Sequence, residues 1–247
     1  MKTVVEAALL TVMLAGQSAG SGVPVVYRVG NAEYEGYYAD AGKGAPFILL
    51  IHDWDGLTAY EKKRSDMLQS LGYTVFAADL FGKGIRPESL DEKKRLTGQL
   101  YGDRVKMRML LDGALEAART KGAAVTDGAA IGYCFGGAAV LEYARSGAAL
   151  KGFVVFHAGL ATPEGEDYTK VKGKVLVLHG SADRAVPLDQ FNDCATAMNA
   201  AHVNFEMVLY GGADHAFTVF GGERYDKNAD KLSWARATSF LAALLRK

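Results

Sequence analysis

Short, largely apolar runs separated by stretches of helical periodicity constrain this chain more than any other feature. Pro46–Ile51 is apolar at every position, as a strand covered on both faces must be, because alternation would carry polar side chains into a core. Residues 73–80, 128–133, 152–156, 174–178 and 203–209 repeat the buried-strand signal with few polar positions. Between them, residues 58–71 with a Gly72 stop, 104–121, 136–145, 188–200 and 231–245 space apolar side chains three and four apart, which predicts amphipathic helices. Strands and helices in alternation give an α/β fold: a mostly parallel sheet with helices on both faces, whose ligands bind beyond the carboxyl ends of the strands. Ahead of this repeat, residues 23–28 and 34–39 flank Gly30-Asn31 and read as an opening hairpin.

Residues 23–247 form one expected domain, since about this length buries a two-faced sheet and no linker or internal repeat divides it. The 28 basic residues equal the 28 acidic ones. No net positive field exists to collect phosphate backbones or anionic lipid, so nucleic acid and membrane surfaces are not expected partners. Residues 1–22 resemble a secretory leader, with an N-terminal extension as the alternative: Lys2, a run from Ala7 to Ala15, then the cleavage-like Gly16-Gln-Ser-Ala-Gly20, although Glu6 sits badly in it. A periplasmic or secreted location is therefore expected, with the cytoplasm as the alternative. Cys134 and Cys194 are too few to be a disulfide framework and say little about compartment.

The sharpest local signal is Gly132-Tyr-Cys134-Phe-Gly136-Gly, set between an expected buried strand and an expected helix. It reads as a nucleophile elbow with cysteine at its strained centre, flanked by glycines that leave room for backbone to pass closely. At a helix N-terminus the dipole and the free N–H groups favour thiolate over thiol. A thiolate needs a base, and the base an orienting acid. Later strand ends supply both, in α/β-hydrolase order: Asp183 within His179-Gly-Ser-Ala-Asp183-Arg, then His215 within Asp214-His215-Ala-Phe217. The turn His52-Asp53-Trp54-Asp55-Gly56 follows the third expected strand. In this fold that turn donates one oxyanion N–H, here assigned to Trp54, with Phe135 N–H as the other.

These motifs, with residues 78–84 and the terminal Tyr225, Asp230 and Trp234, make the chain resemble the dienelactone hydrolases from about residue 24 onward. The resemblance implies an α/β-hydrolase fold with Cys134, Asp183 and His215 as the triad. It also matches Asp53 to a family glutamate, one methylene longer, that meets the resting cysteine. The family's dienelactone-cleaving members hold the substrate carboxylate with an arginine four residues beyond the histidine, where this chain has Val219; Arg86 and Arg95 are candidates for their second arginine.

The expected activity is hydrolysis of an activated ester or lactone through a thioester acyl-enzyme, with a small molecule as substrate and no cofactor. A thioesterase or acyl transferase using the same triad, or a binding or redox-sensing protein on this fold, are the alternatives. The chain is expected to be a monomer or small homo-oligomer. Cys194 reads as core packing, and His52, His157 and His179 as structural histidines, because none has metal-ligand spacing. Residues 61–64 and 91–95 mix charge signs at helical spacing and read as solvated helix faces.

Overall fold

A computed structural model describes residues 22–246, so the expected leader lies outside the described residues but for Gly22. Eight strands form one sheet in the order β1-β2-β4-β3-β5-β6-β7-β8. The hairpin strands β1 (Val23–Val29) and β2 (Ala32–Ala39) are antiparallel about the Gly30-Asn31 turn, and β2 joins the rest through an antiparallel edge with β4 (Thr74–Ala78). From β4 onward every pairing is parallel, through β3 (Pro46–Ile51), β5 (Ala124–Tyr133), β6 (Gly152–Phe156), β7 (Lys174–Gly180) and β8 (Phe205–Tyr210).

The two-residue period of the strands splits the interior into two cores. Phe47, Leu49 and Ile51 face one side with α3 (Arg104–Thr120), α4 (Phe135–Arg145) and α5 (Leu188–Ala200), where Cys194 packs as expected. Ile48 and Leu50 face the other with α1 (Ala59–Ser70) and α6 (Lys227–Leu245). This is the mostly parallel α/β architecture that the apolar runs predict.

Differences lie at element boundaries and in the burial of two charged residues. Helix α6 starts four residues before the expected Lys231, because Asp226 caps the Asn228 and Ala229 N–H groups. The 91–95 stretch is a solvated helix face as expected, and its helix, α2 (Leu90–Gly102), runs well past it, capped by Ser89 and anchored by Leu96 and Leu100. Residues 61–64 depart from the solvated reading: Glu61 and Arg64 are wholly buried. Glu61 closes a capping box with Thr58, and Arg64 reaches through the core to Asp230 on α6.

Candidate active site

The strand-to-helix turn after β5 puts Cys134 at φ 51° and ψ −112°, a conformation side chains rarely adopt. Close approach of backbone requires its glycines: a Cβ on Gly132 would lie 2.2 Å from the Gly136 carbonyl oxygen, and one on Gly136 2.3 Å from that of His52. The Cys134 N–H donates to the Phe156 carbonyl of β6 (3.0 Å), which ties the turn to the sheet. The thiol is thereby raised above the carboxyl end of the sheet, half-exposed, at the start of α4.

Two loops bring its neighbours. The loop after β8 presents His215, whose Nε2 lies 3.1 Å from the Cys134 sulfur. The turn after β7 presents Asp183, whose Oδ2 lies 2.8 Å from His215 Nδ1. The other carboxylate oxygen of Asp183 accepts the Ala185 and Val186 N–H groups at 2.9 and 2.8 Å, so the acid is fixed before it orients the ring. Burial alone would lower the His215 pKa. Hydrogen bonds to Asp183 and Cys134, and the charges of both, override it and push the pKa up to about 10. Burial likewise disfavours the Asp183 carboxylate, but His215 and the Val186 N–H more than offset it and hold its pKa below the ordinary value. Sulfur, imidazole and carboxylate therefore stand in line within hydrogen-bond reach of one another.

Cys134 and His215 open on a cavity of about 350 Å³, with Asp183 buried behind the imidazole. Its walls include Trp54, Tyr101, Phe135, Val186 and Arg224, more apolar than polar. Trp54 N–H has no acceptor among the described residues. Phe135 is the first residue of α4, so its N–H has no carbonyl partner within the helix. Asp53 lines the same cavity, but its carboxylate accepts the Asp55 N–H (2.9 Å), while the sulfur's hydrogen-bond partner is His215. Burial first, and then the charge of Glu61, push the Asp53 pKa up to about 8.

Sequence reasoning missed Tyr101, Gln190 and Arg224 as cavity walls, and neither Arg86 nor Arg95 lines the cavity. Arg86 instead donates to the Leu57 and Ile85 carbonyls. Tyr101 lies near the end of α2, beyond the 91–95 face read from the sequence, and the Ser89-Leu-Asp-Glu92 cap was the signal for a longer helix there. The buried histidines each tie a loop down: His52 Nδ1 to Asp53 O (2.6 Å), His179 Nε2 to Val186 O (2.9 Å), and His157 Nε2 to the Thr218 hydroxyl (2.8 Å). Among the described residues no cluster of three or more His, Cys, Asp or Glu is arranged to hold a metal, and no helix is long and apolar enough to cross a membrane.

A parallel sheet with an antiparallel hairpin edge and a strained elbow at the carboxyl end of a central strand define an α/β-hydrolase. The chain belongs to the dienelactone hydrolase family, whose profile matches residues 35–245. It is thus a member of a hydrolase family. A candidate carboxymethylenebutenolidase of Saccharolobus solfataricus is 34% identical over 93 residues, a match that spans 37% of this chain and 35% of that protein. A dienelactone hydrolase-like promiscuous phosphotriesterase from metagenomic libraries is similar in structure: TM-score 0.84 and 29% identity, covering 91% of this chain and 98% of that one. A candidate dienelactone hydrolase of Klebsiella pneumoniae, at TM-score 0.79 and 20% identity over 90% of this chain and 99% of its own, is alike in fold.

Proposed function

We propose that this protein hydrolyses activated esters or lactones by way of a thioester on Cys134. The observation that carries the reading is the line of contacts that starts at the cavity wall: sulfur to imidazole at 3.1 Å and imidazole to the buried carboxylate at 2.8 Å. His215, held protonated and oriented by Asp183, stabilises the Cys134 thiolate. The thiolate attacks the substrate carbonyl, and the Trp54 and Phe135 N–H groups receive the oxyanion, each such donor worth about 3 kcal/mol in the transition state. His215 gives its proton to the departing alkoxide or enolate, then takes one from the water that attacks the thioester, which releases the acid and restores the thiolate.

Sulfur narrows the substrate. A thiolate, with a pKa near 8.5 in free cysteine, leaves a tetrahedral intermediate more readily than a simple alkoxide does. Enol esters, aryl esters and strained lactones therefore turn over, and alkyl esters and amides do not. Intact-protein mass spectrometry during turnover of a slow p-nitrophenyl ester should show an acyl adduct on Cys134. Cys134→Ala should abolish both adduct and turnover, and undiminished turnover by that variant refutes the reading. The likeness to the metagenomic phosphotriesterase adds phosphate triesters with a p-nitrophenol leaving group as a second substrate class, tested in the same assay.

A further inference from the structure

Four non-glycine residues among those described have a left-handed backbone, and three of them meet at this site: Cys134, Ala216 and His157, the last at φ 38°. Strain of this kind persists where surrounding structure over-determines it, and it gathers at functional sites. Cys134 and Ala216 line the cavity, but His157 does not. It is wholly buried just past β6, and its ring stands edge-on to His215 with 5.4 Å between centroids and to Phe217 at 5.3 Å.

What holds this ring is a chain of hydrogen bonds that begins on α1. Arg64 Nε donates to the Tyr60 hydroxyl (3.3 Å), which leaves the Tyr60 proton free for the Thr218 hydroxyl at 2.6 Å. The Thr218 proton then goes to His157 Nε2 at 2.8 Å. His157 Nδ1 has no partner in either direction, but the reverse one would also strand the Tyr60 proton in the core, so the forward direction satisfies one more group. Arg64 also donates to the Thr218 carbonyl (2.9 Å), which anchors the loop three residues beyond His215 from the backbone side. Read in this direction, His157 is neutral, with its proton on Nδ1.

We propose that His157 is a positioning residue for the Cys134–His215 pair: an uncharged imidazole, locked through Thr218 and Tyr60 to Arg64, that fixes the plane in which His215 meets the sulfur. Burial, with His215 and His179 nearby, keeps His157 well below its ordinary pKa, so no second cation competes with the His215 imidazolium. The charged or titratable groups around the two rings are Cys134 and Asp183 on His215, and His179, Arg64 and Tyr133 on His157. This inference rests on the reading of Cys134 as a thiolate paired with His215, though not on which ester is cleaved.

Its test is the pH profile of Cys134 alkylation by iodoacetamide, which needs no substrate. His157→Phe keeps a ring but loses the acceptor, and Thr218→Val keeps the shape but loses the donor. Each should move the acid limb of alkylation upward by about one pH unit, a roughly tenfold slower reaction at its foot, and lower kcat with little change in KM. His157→Gln, whose amide oxygen accepts from Thr218, should restore much of the profile. An unmoved profile in both variants overturns the proposal, and so does a rate loss that follows the melting temperature with no change of limb. Should the variants not fold, nitrogen-15 histidine spectra of the unaltered protein decide: a neutral Nδ1–H ring at His157 from pH 5 to 9 is expected, and an Nε2–H or charged ring refutes it. Failure of the hydrolase reading instead appears as ester turnover by Cys134→Ala, whatever the alkylation profile.

Discussion

Asp183→Asn isolates what the carboxylate contributes, because the substitution changes charge and hydrogen count but hardly shape. One oxygen of Asp183 accepts two backbone N–H groups and the other faces His215 Nδ1. An asparagine has a single oxygen. If that oxygen stays on the Ala185 and Val186 N–H groups, the amide NH₂ must face Nδ1 and turns the imidazole to the wrong tautomer. If it faces His215, the NH₂ meets two donors head-on. The first arrangement breaks fewer bonds, so the fold survives and the base is misdirected. His215 is pushed from 6.5 to about 10 with only 10% of its side chain exposed, roughly 5 kcal/mol in favour of the imidazolium. The sulfur and the carboxylate share that preference. About 3 kcal/mol assigned to Asp183 is on the order of a hundredfold in rate, and the wrong tautomer takes the loss toward 10⁴-fold, as in serine triads. We expect kcat/KM for a p-nitrophenyl ester to fall by about 10² to 10⁴ at pH 7, with the melting temperature nearly unchanged. A loss below about tenfold in folded protein would show that Asp183 does not set the state of His215.

Other predictions concern the frame around the site. Gly136→Ala puts a Cβ 2.3 Å from the His52 carbonyl oxygen and 2.5 Å from that of Ile51. Neither is free to move, so a cost of about 3 kcal/mol and a melting temperature lower by roughly 6–12 °C are expected by calorimetry. Arg64→Met leaves the buried Asp230 carboxylate without its cation, which should cost about 3–5 kcal/mol in urea unfolding, and Asp230→Asn in the same chain should recover part of it. Asp53, ordinarily near 3.8 but at about 8 in the fold, holds a proton that the unfolded chain gives up. The native state therefore loses stability as pH rises from about 4 to 8. Asp53→Asn should abolish that slope, so its melting temperature should gain on the parent's between pH 5 and 8; parallel curves would contradict it.

The parts of this site legible in the sequence are those whose chemistry is local. The glycines about Cys134 state a close approach of backbone, and the apolar runs before Asp183 and His215 state that both stand at strand ends, where the fold gathers ligands. What the sequence concealed is long-range pairing. Glu61 and Arg64 lie in a run of mixed charges on α1, and helical spacing alone gives a solvated face. Yet Glu61 turns back onto Thr58 and the N–H of Asp53 (3.4 Å), and Arg64 crosses to Asp230, 166 residues away. A buried charge is legible only with its partner, and its partner lies on another element. The capping motif Thr58-x-x-Glu61 was a local sign that one of these charges is occupied. For Arg64 there was none. Tyr101 is the same case for apolar walls, since its helix is polar along most of its length and only the distant elbow makes its ring part of a cavity. An elbow is announced by the backbone that strains around it, whereas the walls and supports about it depend on which distant residues arrive.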